Sequence, residues 1–226
     1  MDTGGSPIGI LARMASWVLL FDAAILFGVS VGMAQGDVRQ DKSSTMLNSW
    51  LTDVLQSIPG QEKPQLEKTV PIDDETLREV FPGDRFYGVY FRTRPRVFGV
   101  LPRELSPNTV VRVRGAETVE PIPDEEALRT FLARALGDIR DEGRAKAAAL
   151  AALRLAEGVA SAGSSSFAEP QVSVVREGEN IVATARAAVQ APGRGEVAIR
   201  IEFGADGKIK PDAIKIDDRS HPGPPS

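Results

Sequence analysis

Residues 14–34 (MASWVLLFDAAILFGVSVGMA) form a run of 21 residues whose single charge is Asp22, set at the front of an otherwise polar chain. A run of this kind cannot belong to a solvent-facing layer, so it divides the chain into an export or membrane element and a folding part. A secretory signal needs a positive start, an apolar core of about 7–15 residues and small residues before the cut, whereas a bilayer span needs about 20 apolar residues. Arg13 supplies the positive charge, and Gly32 and Ala34 stand at the −3 and −1 positions of a cut before Gln35. A carboxylate at the centre of a span costs about 2.5–3.5 kcal/mol on insertion scales, while the stretch after Asp22 is by itself long enough for a signal core. The sequence therefore predicts an exported chain, periplasmic or extracellular, with cleavage after Ala34. A retained single-span anchor is the alternative, and in both cases residues 14–34 contact a membrane.

The chain has no cysteine. That excludes a lipid-modified N-terminal cysteine, disulfides, thiol nucleophiles and Cys-ligated metals, so the fold must hold by its core alone. The formal charge of −4 gives no overall basic footprint, and no specific nucleic-acid partner is expected.

Beyond the apolar run, residues 35–71 read as a polar linker interrupted by an amphipathic helix at 44–58. Met46, Leu47, Trp50, Leu51, Val54, Leu55 and Ile58 recur at helical spacing, and Pro59 and Gly60 end the pattern. Residues 61–71 read as linker and residues 73–81 as a short helix. Residues 85–93 (RFYGVYFRT) read as a strand, and 109–113 with 118–122 as a hairpin. Two helices follow, one opened by Asp124 and an alanine-rich one opened by Asp141. The last third alternates as an antiparallel meander, most clearly where Val197, Ile199, Ile201 and Phe203 interleave with Ala198, Arg200 and Glu202. Lys208 to Ile216 reads as an edge strand because of Pro211, and residues 217–226 as a disordered tail. The expected architecture is one α+β domain over 72–216, with helices packed on one face of an antiparallel meander. By analogy this is a cystatin-like or nuclear-transport-factor-like layout.

The chemistry on offer is limited. The one histidine, His221, lies in the Pro-rich tail, where nothing holds it as a general base. The acidic clusters at 73–75, 124–126 and 141–142 all open expected helices, where capping and the helix dipole account for them, and the pair at 217–218 starts the tail. No phosphate loop, dinucleotide fingerprint or calcium loop is present, and no cofactor is expected. The constellation that stands out is residues 85–114, which carry seven arginines (85, 92, 94, 96, 103, 112 and 114) against one acid, Glu104, with aromatics among them. Arginine forks grip carboxylate and phosphate and stack on aromatic faces. Arg92, Arg94, Arg96 and Arg103, with Tyr87 and Tyr90, are the candidate contacts for an anionic envelope polymer or an acidic protein. Pairing of these arginines with nearby acids such as Glu117 or Glu120 is the competing structural reading.

The stretch FPGDRFYGVYFRTRPRVFGVLPRELSPNTVVRV (81–113), the two-helix region after it and REGENIVATARAAVQAPGRGEVAIRIEFGADGKI (176–209) resemble uncharacterised exported proteins of planctomycete-type bacteria. The resemblance lies in strand and turn patterning and implies export but no activity. The sequence as a whole predicts a non-enzymatic binding or interaction domain. A carboxylate-dependent hydrolase of an envelope polymer and a membrane-tethered structural component are the alternatives.

Overall fold

The computed structural model describes residues 34–58, 64–92, 106, 108–115, 118–160, 166–191 and 195–219, with the backbone alone for 34–41, Arg92 and Ala191. The chain divides into two compact units between Ser44 and Thr45. Of the first unit only residues 34–44 are described, the start of α1 (Ala34–Ser57), whose remainder belongs to the second unit. The apolar run before Ala34 lies outside the described residues, and among those residues no helix is long and apolar enough to cross a membrane. The helix begins ten residues before the amphipathic stripe expected at 44–58. Gln, Arg and Lys in the lead-in are good helix formers that a purely hydrophobic pattern does not register.

The second unit is α+β with two antiparallel sheets. The first has the order β1 (Gln65–Pro71), β2 (Asp84–Arg92), β3 (Asn108–Arg114), β4 (Thr118–Ile122). The second places β7 (Asn180–Ala191) beside β8 (Glu196–Phe203) and β8 beside β9 (Ile214–Asp218), while β5 (Ser166–Phe167) and β6 (Gln171–Glu177) both pair with β7. Three helices join them: α2 (Glu75–Val80), α3 (Glu125–Ala135) and α4 (Glu142–Ala160). The expected hairpin, both central helices and the final meander are present. The structure adds that β2 to β4 assemble with β1 into a sheet of their own, so the helices meet two sheets rather than one.

The layers follow from side-chain alternation. On β2, Tyr87, Val89 and Phe91 point one way and join Leu47 and Leu51 of α1, together with Val111 and Val113 of β3, in one apolar cluster. Phe86 points the other way and joins the main core with Val110 and Ile122. That core runs through α3 and α4 to Ala183, Ala185, Val197, Ile199, Ile201 and Phe203 of the second sheet. α4 thus lies between the sheets, which explains its composition: Ala145, Ala148, Ala149, Ala151 and Ala152 are all fully buried. Gly158 continues the theme, since a Cβ there would stand 2.8 Å from Val110 Cγ2.

Two segments differ from the sequence reading. Residues 65–71 form β1, not linker, and Pro71 is tolerated because β1 is an edge strand and Pro71 is its last residue. Near the C-terminus Pro211 opens a single 3-10 turn (Pro211–Ala213), and the strand starts only after it and extends through Asp217 and Asp218. The Asp206–Gly207 turn forms where expected. Gly207 has φ +82° and its carbonyl accepts from the Ile139 amide at 2.9 Å, tying the turn to the segment between α3 and α4.

Because α4 is confined on both sides, Ala152→Leu is expected to lower stability by about 1–3 kcal/mol through overpacking. A urea titration of the variant against the parent measures this.

Candidate functional site

Asp84 opens β2 with its carboxylate fully withdrawn from solvent. Register places it opposite Arg114, and Phe86 opposite Arg112, which in turn faces Glu120 on β4. The three strands therefore bring alternating charge to one corner of the first sheet. Arg114 forks onto Asp84, Nε to Oδ1 at 2.7 Å and Nη2 to Oδ2 at 3.1 Å. Arg112 places Nε 3.0 Å from Asp84 Oδ2 and donates from Nη1 to Glu120 Oε2 at 2.8 Å. Glu120 also accepts from Arg134 of α3. The Arg112 guanidinium sits 5.5 Å from the centre of the Phe131 ring, which packs with Phe81 and Phe86 in a tilted and edge-to-face aromatic trio. Burial pulls the Arg112 pKa down, but hydrogen bonds to Asp84 and Glu120 outweigh it and raise the value overall, so the side chain stays cationic in the core.

The candidate contacts divide accordingly. Arg94, Arg96 and Arg103 lie outside the described residues, and Arg92 is the last residue of β2. Tyr87 is packed between the first sheet and α1 at 5% exposure, and Tyr90 is 7% exposed on the opposite face. Lys68 Nζ stands 5.3 Å from the Tyr90 ring centre, the ring closes over Gly88, and burial raises the phenol pKa. Both tyrosines are thus buried, Tyr87 in the cluster with Leu47 and Leu51 of α1 and Tyr90 beside Lys68 and Gly88 of the first sheet. A solvent-facing site in this segment would rest on arginine without them.

A second charged cluster was not visible in the sequence. Asp74 caps α2, its Oδ1 accepting from the amides of Thr76 and Leu77 at 2.9 and 3.3 Å. Its Oδ2 accepts from Arg154 Nε at 3.2 Å, and Arg154 Nη1 donates to Glu157 Oε2 at 3.0 Å. Glu157 is 7% exposed, and desolvation raises its pKa despite the neighbouring guanidinium. The i,i+3 spacing of Arg154 and Glu157 was readable on one helix face. Asp74, eighty residues earlier, was not.

The remaining acidic clusters have local explanations. Asp124 accepts from the Ala127 amide at 2.8 Å and Asp141 from the Arg144 amide at 2.8 Å, each capping its helix. Among the described residues no three metal-ligating side chains gather. Comparison of the chain with protein-family models, curated proteins and solved structures finds no match.

Two outcomes follow. Asp84→Asn should cost about 3–5 kcal/mol, because it leaves a buried guanidinium short of its counter-ion, and the shift of the urea midpoint reports it. Glu157 binds its proton more tightly folded than unfolded, so its contribution to stability falls as pH rises above its ordinary value of 4.5. Stability curves of Glu157→Gln and the parent should therefore move apart in the variant's favour as pH rises from that point, and parallel curves would contradict the burial argument.

Proposed function

We propose that this chain is an exported, non-enzymatic binding or interaction domain of a bacterial cell envelope. It contacts an anionic polymer or an acidic protein partner through the arginines between β2 and β3. The observation that carries this reading is the separation of charge along β2. The acids that engage arginine here, Asp84 and Glu120, serve Arg112, Arg114 and Arg134 at one corner of the sheet. Arg92 ends the same strand eight residues after Asp84, about 26 Å away at the rise of an extended chain. The connection bearing Arg94, Arg96 and Arg103 follows Arg92 in the chain, at the end of β2 away from Asp84.

Export supplies the setting, through the signal-like run and the resemblance to exported proteins of planctomycete-type bacteria. The β6–β9 meander with α4 on one face supports the cystatin-like or nuclear-transport-factor-like analogy. Such layouts serve inhibitors, binding domains and enzymes alike, so the arginines rather than the fold bear the functional argument. The hydrolase alternative requires two carboxylates free to act on a substrate. Asp74 and Glu157 do approach from different elements, but Arg154 holds both.

The test uses the full chain and fluorescent poly-glutamate. Arg92→Ala/Arg94→Ala/Arg96→Ala should weaken binding at least tenfold and flatten the dependence of affinity on salt, with an unchanged circular dichroism spectrum. Equal affinity of the parent and the triple variant would overturn the proposal.

A further inference from the structure

β6 is an edge strand of the second sheet, and the bonding of β7 fixes which of its backbone groups face outward. The Ala188 carbonyl accepts from the Ala168 amide on the β5–β6 side of β7, and the Val189 amide donates to Gly195 on the β8 side. Alternation therefore turns the even-numbered residues of β7 toward β6. Their partners Gln171, Ser173, Val175 and Glu177 spend their backbone groups on that pairing. Val172, Val174 and Arg176 turn their N–H and C=O groups the other way, where no strand pairs with them among the described residues.

A bare ladder recruits another strand, so sheet edges are ordinarily blunted by bulges, prolines or short length. The other long edges here carry such features: a register shift and Pro71 in β1, Pro121 in β4, and the Pro211 turn before the five residues of β9. β6 runs for seven residues in unbroken register without a proline. Its two charges turn back onto their own chain, Arg176 to Glu142 and Glu177 to Arg200, each at 3.6 Å. Val172 and Val174 are half-buried against the main core, while Val175 on the other face is 55% exposed. Apolar surface thus reaches this edge on both faces of the sheet. α4 lies chiefly over β7 and β8, inward of the edge.

We propose that β6 pairs antiparallel with β6 of a second copy of this chain, about a twofold axis at Val174, joining the two second sheets into one. The backbone sets the register. Only pairings that oppose even-numbered residues connect the free groups, and centring on Val174 engages all of them: Val172 with Arg176 of the second copy, and Val174 with its own counterpart. Each such pair exchanges two N–H···O bonds. The same register sets Ser173 opposite Val175 and Gln171 opposite Glu177, so no like charges stand directly opposite and the Gln171 amide is placed to donate to a carboxylate. Val172 and Val174 complete their burial against the copy. An uncharged centre flanked by charges already engaged within each copy suits a strand that meets itself, as a twofold interface requires. This pairing is independent of the arginines between β2 and β3 and stands or falls separately from them.

Sedimentation equilibrium of the full chain should show a monomer–dimer equilibrium. Val174→Pro deletes an outward N–H and leaves the β7 ladder whole, and Val175→Lys sets a charge on a position already exposed. Each should raise the dimer dissociation constant about tenfold or more, with an unchanged circular dichroism spectrum. Because the chain has no cysteine, the register is readable as well. Ser173→Cys mixed with Val175→Cys should form a disulfide-linked dimer under mild oxidation, and either variant alone should not. Directly opposed Cα atoms stand about 4.5 Å apart, within disulfide range, whereas diagonal ones stand about 7–8 Å apart. The proposal is overturned if the parent is monomeric at every concentration, alone or while pairing this edge with a strand of another protein. It is equally overturned if Val174→Pro and Val175→Lys both dimerise like the parent, or if the cysteine variants cross-link no better mixed than alone.

Discussion

The confinement of α4 between two sheets governs the rest of this architecture. A helix covered on opposite sides has few positions left for polar residues, and close approach on both sides favours small side chains at the points of contact. The alanines from Ala145 to Ala152 meet that demand, and Gly158 meets it where even a methyl group would strike Val110. Once α4 is so placed, the first sheet has its inner face covered and needs α1 on its outer face to bury Tyr87, Val89 and Phe91. The second sheet has its inner face covered by the same helix and leaves its outer face to solvent. The difference between the two sheets, one buried twice and one half-open, thus originates in a single helix.

That difference also sorts the charges. Within the covered layers an ion needs partners, and each buried one has them: Arg112 lies between Asp84 and Glu120, and Arg154 between Asp74 and Glu157. On the half-open sheet, water screens charges and permits arrangements that a core would not. Arg200 facing Lys215 is such an arrangement. Burial therefore explains the first two groups as fastenings, while on the sheet surface Arg200 is held by Glu202 and Glu177.

Legibility in the sequence followed the physics of each signal. The alternation of Val197, Ile199, Ile201 and Phe203 was plain because one face of β8 is buried and the other is not. The helices opened by Asp124 and Asp141 were plain because capping is local. β1 was hidden, since a strand of mixed charge ending in Pro71 resembles a linker until its pairing with β2 is known. The aromatics of β2 suggested a binding surface, yet Tyr87 is buried in the cluster with α1 and Tyr90 on the opposite face beside Lys68 and Gly88, burial that depends on neighbouring elements and is invisible in a single strand. Of the charged clusters, only same-helix spacings could be read. The meetings of Asp84 with Arg112, of Asp74 with Arg154 and of Arg200 with Lys215 are products of register and topology.

The buried corner at Asp84 has one more consequence. Side chains on a strand change faces with every residue, so sliding β2 against β3 by one position would turn Asp84 or Arg112 toward the apolar cluster beneath α1, among Val89, Val111 and Val113. An uncompensated charge there costs several kcal/mol, far more than a misplaced valine. The three-strand charge network therefore acts as a proofreader of alignment: it adds little to the depth of the native well but raises the floor of its nearest competitors, leaving one pairing of these strands that the chain can occupy.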